Sequence, residues 1–282
     1  MSSQLESSFL KGSITALESG KKTQRPIIFV HGYLDNAASF NSLISYLPDF
    51  HCIAIDLPGH GKSKHRSPDA HYHLTDYVYD LHALIQEQKW TQVSLVGHSL
   101  GGIICSIYAS LFPEHVQTLV CIESMGPLCE PEFTAASQLR ESMASREKAK
   151  MPIKQPESME QVVAARMRVS DLSAQEAIII LDRNIENKQG QLTWRTDKRL
   201  RTKSALRFTP NQAMDIIENI QCRFNLVLGK QGFIKLRRLL KQRAGLFKDL
   251  HLTELAGGHH VHMQSSKDVA DIIQKAIKGQ ES

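Results

Sequence analysis

The stretch VGHSLGG, residues 96–102, sets a serine between glycines directly after an apolar run. Residues 93–96 have the composition of a buried strand, and residues 100–111 read as the helix that follows it. A G-x-S-x-G pentapeptide between strand and helix is the setting in which a sharp turn lifts the serine oxygen clear of the backbone. Glycines are then required because neighbouring backbone crowds the turn, and the helix presents its positive end to a developing anion. Ser99 therefore reads as a nucleophile. The alternative is a glycine-rich turn whose serine only caps the helix.

A hydroxyl needs a base and an oxyanion site before it can act as a nucleophile. His31-Gly32-Tyr33 follows directly on the apolar run 27–30, the place from which one backbone N–H of an oxyanion hole comes; the other belongs to the residue after the nucleophile. Tyr33 and Leu100 are the expected donors. For this turn type the order along the chain is serine, acid, histidine, with the histidine on a loop after the last strand. Gly257-Gly258-His259-His260-Val261-His262 is that loop, between the apolar run 250–255 and a terminal helix over 269–277. His259 is the expected base, with His260 and His262 as rivals. A histidine-rich metal site is the competing reading, but no acidic or cysteine ligand stands nearby, and no metal or organic cofactor is expected.

The acid is less direct. After the strand expected at 224–228 comes Gly229-Lys230-Gln231-Gly232, without a carboxylate, whereas Glu123 closes the run 119–122. A carboxylate on that adjacent strand tip could orient the imidazole and stabilise its cation without taking the proton. A solvated strand-end glutamate is the alternative.

Bulk properties bound the function class. Hydrophobic residues at 41% and charged residues at 22% exclude a disordered or fibrous chain. The formal charge of +5 gathers in basic clusters at 195–207 and 230–243. Without an aromatic platform or a reading motif these predict a solvated basic face, not a nucleic-acid partner. Five cysteines, odd in number and lacking C-x-x-C spacing, argue against a disulfide framework. No signal segment and no bilayer-length apolar run are present, so a cytoplasmic protein without a membrane span is expected.

Apolar runs at 27–30, 52–55, 93–96, 119–122, 224–228 and 250–255 alternate with helical patterns such as 75–86. That alternation predicts an α/β fold with a mostly parallel sheet flanked by helices. Residues 9–17 read as an antiparallel edge hairpin, and 38–47 as a helix capped by Asp35 or Asn36. The interval between the runs at 119–122 and 224–228 far exceeds a crossover connection and carries capping boxes at Ser173/Glu176 and Thr209/Gln212. Residues 127–209 are therefore expected as an inserted helical cap, with 1–126 and 210–282 as the core. Met159, Val162 and Met167 are expected as cap core or pocket wall.

With these residues assembled, the chain resembles the α/β-hydrolase superfamily. Asp56-Leu57-Pro58-Gly59-His60-Gly61-Lys62-Ser63 matches its D-x-P-G-x-G-x-S turn. Within the superfamily it is most similar to the serine hydrolase-like proteins, relatives of haloalkane dehalogenases and epoxide hydrolases. The similarity rests on HGYLDNAASF at 31–40, on WRTDKRL at 194–200 with Lys198 in place of a proline, and on GHHVHM at 258–263. Dehalogenases and epoxide hydrolases of this kind use an aspartate nucleophile, so serine at 99 implies different chemistry. Some dehalogenases place their acid at the strand end equivalent to Glu123, which the resemblance implies here, where Gly232 replaces the more usual aspartate.

Together these readings predict a serine hydrolase of the carboxylesterase kind acting on a small-molecule acyl substrate. Ser99, His259 and Glu123 would be catalytic, Tyr33 and Leu100 the oxyanion donors, and Asp35, His31 and His98 possible pocket residues. A relative that binds a small molecule or partner without turnover, and a hydrolase of carbon–carbon bonds, are the alternatives.

Overall fold

The computed structural model describes residues 4–23 and 25–279. Its strands are β1 Leu5–Phe9, β2 Ile14–Ser19, β3 Ile27–Val30, β4 Cys52–Ile55, β5 Val93–His98, β6 Val116–Ile122, β7 Ile185–Lys188, β8 Gln191–Trp194, β9 Phe224–Gly229 and β10 Leu250–Leu255. Its α-helices are α1 Asn41–Ser45, α2 Leu74–Glu87, α3 Leu100–Leu111, α4 Ala135–Lys150, α5 Met159–Arg168, α6 Ala174–Asn184, α7 Pro210–Glu218, α8 Ile234–Arg243, α9 Val261–Gln264 and α10 Ser266–Lys278.

Side-chain alternation along the central strands divides the core in two. Ile28 and Val30 of β3, Ile53 and Ile55 of β4, and Val93 and Leu95 of β5 pack with α2, α3 and α7 on one face. Ile27, Phe29, Cys52, Ala54 and Val96 pack with α1 and α10 on the other. Strands buried on both faces carry the unbroken apolar runs seen in the sequence. The sheet has eight strands in the order β1-β2-β4-β3-β5-β6-β9-β10. All neighbours from β4 to β10 are parallel, and β1 and β2 form an antiparallel edge that joins β4.

The parallel register aligns the carboxyl ends of the strands. Val30 lies opposite Gly97, His98 opposite Ile122, and Ile122 opposite Val227. Loops leaving β3, β5, β6 and β9 therefore converge at one edge of the sheet, where ligands of open parallel sheets bind.

Three local expectations need correction. The edge hairpin starts earlier than residue 9, at Leu5. Residues 38–47 do not form one helix: a 3-10 turn over Ala37–Phe40 runs into the short α1, because Asn36 Oδ1 accepts from Ala38 N–H at 3.0 Å and tightens the start. The segment between β6 and β9 is not purely helical. After α6 it forms the β7–β8 hairpin, whose turn residues Gln189 and Gly190 both have positive φ, 54° and 90°. Such a turn matches strand twist, and Gly190 accepts the conformation freely.

The inserted segment has its own apolar cluster around Val163, Leu172, Ile180 and Leu181, joined by Met159 and Val162, while Met167 is exposed. Both expected capping boxes are present, at Ser173/Glu176 and Thr209/Gln212. No helix among the described residues is long and apolar enough to cross a membrane.

Candidate active site

Ser99 stands between β5 and α3 with φ 49° and ψ −113°, a conformation that costs a residue with a side chain about 1–3 kcal/mol. The surroundings enforce it. Ser99 N–H donates to Ile122 O at 2.9 Å, and Ile103 N–H donates to Ser99 O at 3.2 Å. Gly101 packs so closely that a Cβ there would lie 1.9 Å from Val30 O, and one on Gly97 would lie 2.5 Å from the Gly101 backbone. Strand, turn and helix are thus locked around the serine, and Ser99 lines a cavity of about 980 Å³ with Tyr33, Tyr77, Leu100, Ile103 and Leu206.

Leu100 opens α3, so its N–H lacks an intrahelical acceptor. The Tyr33 N–H likewise has no protein acceptor among the described residues. Its loop is held from behind: Asp35 N–H donates to Gly32 O at 3.1 Å, and Leu57 N–H donates to His31 Nε2 at 3.0 Å. His31 Nδ1 in turn donates to Gly32 O at 2.7 Å. Burial holds the His31 imidazole below its ordinary pKa, so it serves as a neutral strut.

Glu123 follows β6 in a left-handed conformation, φ 51°. Its Oε1 accepts from Gly229 N–H at 2.8 Å and its Oε2 from Phe233 N–H at 3.1 Å. Oε2 also lies 3.4 Å from His259 Nδ1, and the Phe233 ring stacks on the imidazole at 4.0 Å between centroids. The carboxylate fills the space left by the glycine at 232. From the elbow side, His98 Nε2 donates to His259 O at 2.9 Å, tying the histidine loop to the serine turn.

The rival histidines have other work. His260 Nδ1 meets Asp171 Oδ1 at 2.5 Å, and its Nε2 lies 3.4 Å from Asp35 Oδ2. Burial opposes its charge, but the two carboxylates prevail and raise its pKa to about 9, so it is a cation at neutral pH and no base. His262 is fully buried, and neither ring nitrogen has a partner among the described residues. Among the described residues no three His, Cys, Asp or Glu side chains form a metal-binding group.

The expectation that Asp35, His31 and His98 border the pocket is corrected. All three are essentially fully buried and none lines the serine cavity. Burial lowers the His98 pKa to about 4, reinforced by the nearby His259 and His260. Asp35 does not cap a helix: it binds Arg166 Nη2 through Oδ1 at 2.5 Å and faces His260 through Oδ2. Despite burial, those partners hold it well below the usual carboxylate range.

Sequence reasoning missed the residues that clamp the insert to the core. Arg166 and Asp171 belong to the insert and grip Asp35 and His260. Arg183 of α6 binds Asp56, donating from Nε at 2.8 and 3.1 Å. Only Asp56 carried a local signal, its place in the DLPGHGKS turn.

A sequence model of the alpha/beta hydrolase fold family matches residues 25–174. A probable serine hydrolase of Drosophila melanogaster is 30% identical over 285 residues, spanning 95% of this chain and 85% of that protein. A serine hydrolase-like protein of Danio rerio is 27% identical over 277 residues, spanning 93% and 84%. The crystal structure of a hypothetical protein from Pseudomonas aeruginosa PAO1 superposes with a TM-score of 0.87 at 30% identity, covering 96% of this chain and 99% of that one. The thioesterase domain of a curacin biosynthetic pathway, at 22% identity and a TM-score of 0.82, shares the fold. Elbow, sheet order and matches agree, and the chain belongs to the α/β-hydrolase fold family.

Proposed function

We propose that this protein is a serine hydrolase that cleaves a carboxylic ester or similar acyl bond, with residues 127–209 acting as a cap over the site. Ser99 Oγ attacks the carbonyl carbon while His259 takes its proton. Glu123 fixes the imidazole through Nδ1 and stabilises the imidazolium, remaining ionised throughout. The carbonyl oxygen becomes an oxyanion held by the N–H groups of Tyr33 and Leu100. Collapse breaks the acyl–oxygen bond, His259 protonates the leaving alcohol, and water repeats the sequence on the acyl-enzyme.

The observation that carries this reading is the Glu123 carboxylate, held by two backbone N–H groups beside His259 Nδ1. It supplies the acid whose absence after β9 would favour a binding protein without turnover. Labelling with a fluorophosphonate, followed by peptide mass spectrometry, tests it. Modification at Ser99 that disappears in His259→Ala is the expected result. A folded protein that takes no label would overturn the proposal and leave the binding-only reading.

A further inference from the structure

Three cations line the serine cavity: Arg201, Lys203 and Arg207. Two are neutralised in place. Lys203 pairs with Glu141, and Arg207 Nη1 lies 3.2 Å from Glu130 Oε1, both carboxylates also lining the cavity. The Arg201 guanidinium has neither an ion-pair nor a hydrogen-bond partner among the described residues. Three cations against two anions leave the cavity with one uncompensated positive charge, and it belongs to this arginine.

Arg201 is solvent-exposed, and what distinguishes it from other surface arginines is its place where two cavities meet. A second cavity, of about 510 Å³, lies between the segment 153–201 and Leu34, walled by apolar side chains such as Ile153, Val162 and Trp194 and by charged ones such as Lys154, Glu157 and Lys198. Arg201 lines both cavities. The Tyr33 hydroxyl donates to Leu200 O at 3.1 Å, fixing the segment that carries Arg201 against the loop that carries the proposed oxyanion donor. Burial raises the Tyr33 phenol above its ordinary pKa, and the charge of Arg201 works against that rise, so the guanidinium's field reaches this loop.

We propose that Arg201 anchors an anionic group of the substrate, so that the preferred esters carry a carboxylate away from the scissile carbonyl. A guanidinium offers a planar fork of donors matched to a carboxylate, and one not already engaged by a protein carboxylate has its donors available. The apolar side chains around it suit a hydrocarbon chain between the reacting carbonyl and the anion.

The inference rests on the serine hydrolase reading, and the test separates the two. Turnover is compared for 4-nitrophenyl octanoate, its counterpart with a terminal carboxylate, 4-nitrophenyl hydrogen suberate, and 4-octanoyloxybenzoate, which carries the carboxylate on the leaving group. In Arg201→Gln the KM of an anionic substrate, taken relative to that of the octanoate, should rise about tenfold or more. Arg201→Lys should retain part of the preference, and added salt should erode it. Binding of monomethyl suberate and of 4-octanoyloxybenzoate to Ser99→Ala protein, followed by calorimetry, needs no turnover and should weaken by a similar factor on adding Arg201→Gln. Equal binding with and without Arg201→Gln, or unchanged KM ratios, overturns the anchor. Loss of all Ser99-dependent turnover with the arginine-dependent binding intact overturns the hydrolase reading alone.

Discussion

Glu123 and residue 232 compete for one place: a Cβ built on Gly232 would lie 2.1 Å from Glu123 Oε1. A carboxylate can reach the imidazole from the end of β6 or from the loop after β9, and the glycine leaves the first arrangement unobstructed. The backbone at 232 lies outside the left-handed region, so sterics and not φ exclude a side chain there.

Glu123→Gln keeps the shape and loses the charge. Ester turnover should fall by up to about 10⁴-fold, and stability by about 1–3 kcal/mol, because an amide nitrogen cannot accept and one of the Gly229 and Phe233 N–H groups loses its partner. Glu123→Ala combined with Gly232→Asp should recover at least about tenfold over Glu123→Ala alone. Near-normal steady-state rates in Glu123→Gln would remove this carboxylate from the mechanism.

Ser99→Gly should abolish turnover and yet stabilise the fold. At φ 49° and ψ −113° a glycine carries little of the strain borne by serine, and the expected gain is about 1–2 kcal/mol in urea denaturation. A destabilised variant would mean that the elbow stores no strain.

The His260 cation should make stability fall in alkali. Its pKa is raised from an ordinary 6.5 to about 9 by Asp171 and Asp35, so the stabilisation is full below about pH 6.5 and is lost as pH climbs through 9. The amount is about 3 kcal/mol. Arg166, His98 and His262 also face this group, with His98 and His262 neutral in that window because burial lowers both. Melting temperature against pH should show this alkaline limb in the parent protein and lack it in His260→Gln. A parallel fall in both would place the loss elsewhere.

Arg183→Leu should destabilise the protein by about 3–5 kcal/mol, because Asp56, fully buried, would lose the cation it is paired with. Asp56→Asn in the same chain should recover part of that loss in chemical denaturation. An unaffected single variant would show that the Ala37 and Lys62 N–H groups satisfy Asp56 alone.

Much of the fold was legible because its determinants are local. Parallel strands buried on both faces write themselves as short apolar runs, and a capping box needs only residues three apart, as at Ser173 and Glu176. The β7–β8 hairpin escaped because its turn, Gln189-Gly190, is a weak signal beside the helical patterns that precede it. In the candidate site, chain order points to the loop holding His259, and the lack of a carboxylate after β9 makes Glu123 the nearest candidate acid. The charges around Asp35 were illegible for a different reason. Arg166 lies 131 residues from Asp35, and no spacing rule links residues that meet only through tertiary packing. Asp35, His31 and His98 read as pocket residues for a related reason: adjacency along the chain to Tyr33 or to the elbow does not say which side of a loop a side chain occupies.

Arg166 and Asp171 come from the segment between β6 and β9, yet the side chains they hold, Asp35 and His260, are next to the loop of Tyr33, the proposed oxyanion donor, and next to His259. The segment between β6 and β9 is therefore not an interchangeable module. Transplanting a foreign one to change the range of accepted molecules would leave Asp35 and His260 with only each other as counterions and unsettle the neighbouring imidazole, unless an arginine and an aspartate at equivalent places travelled with the graft.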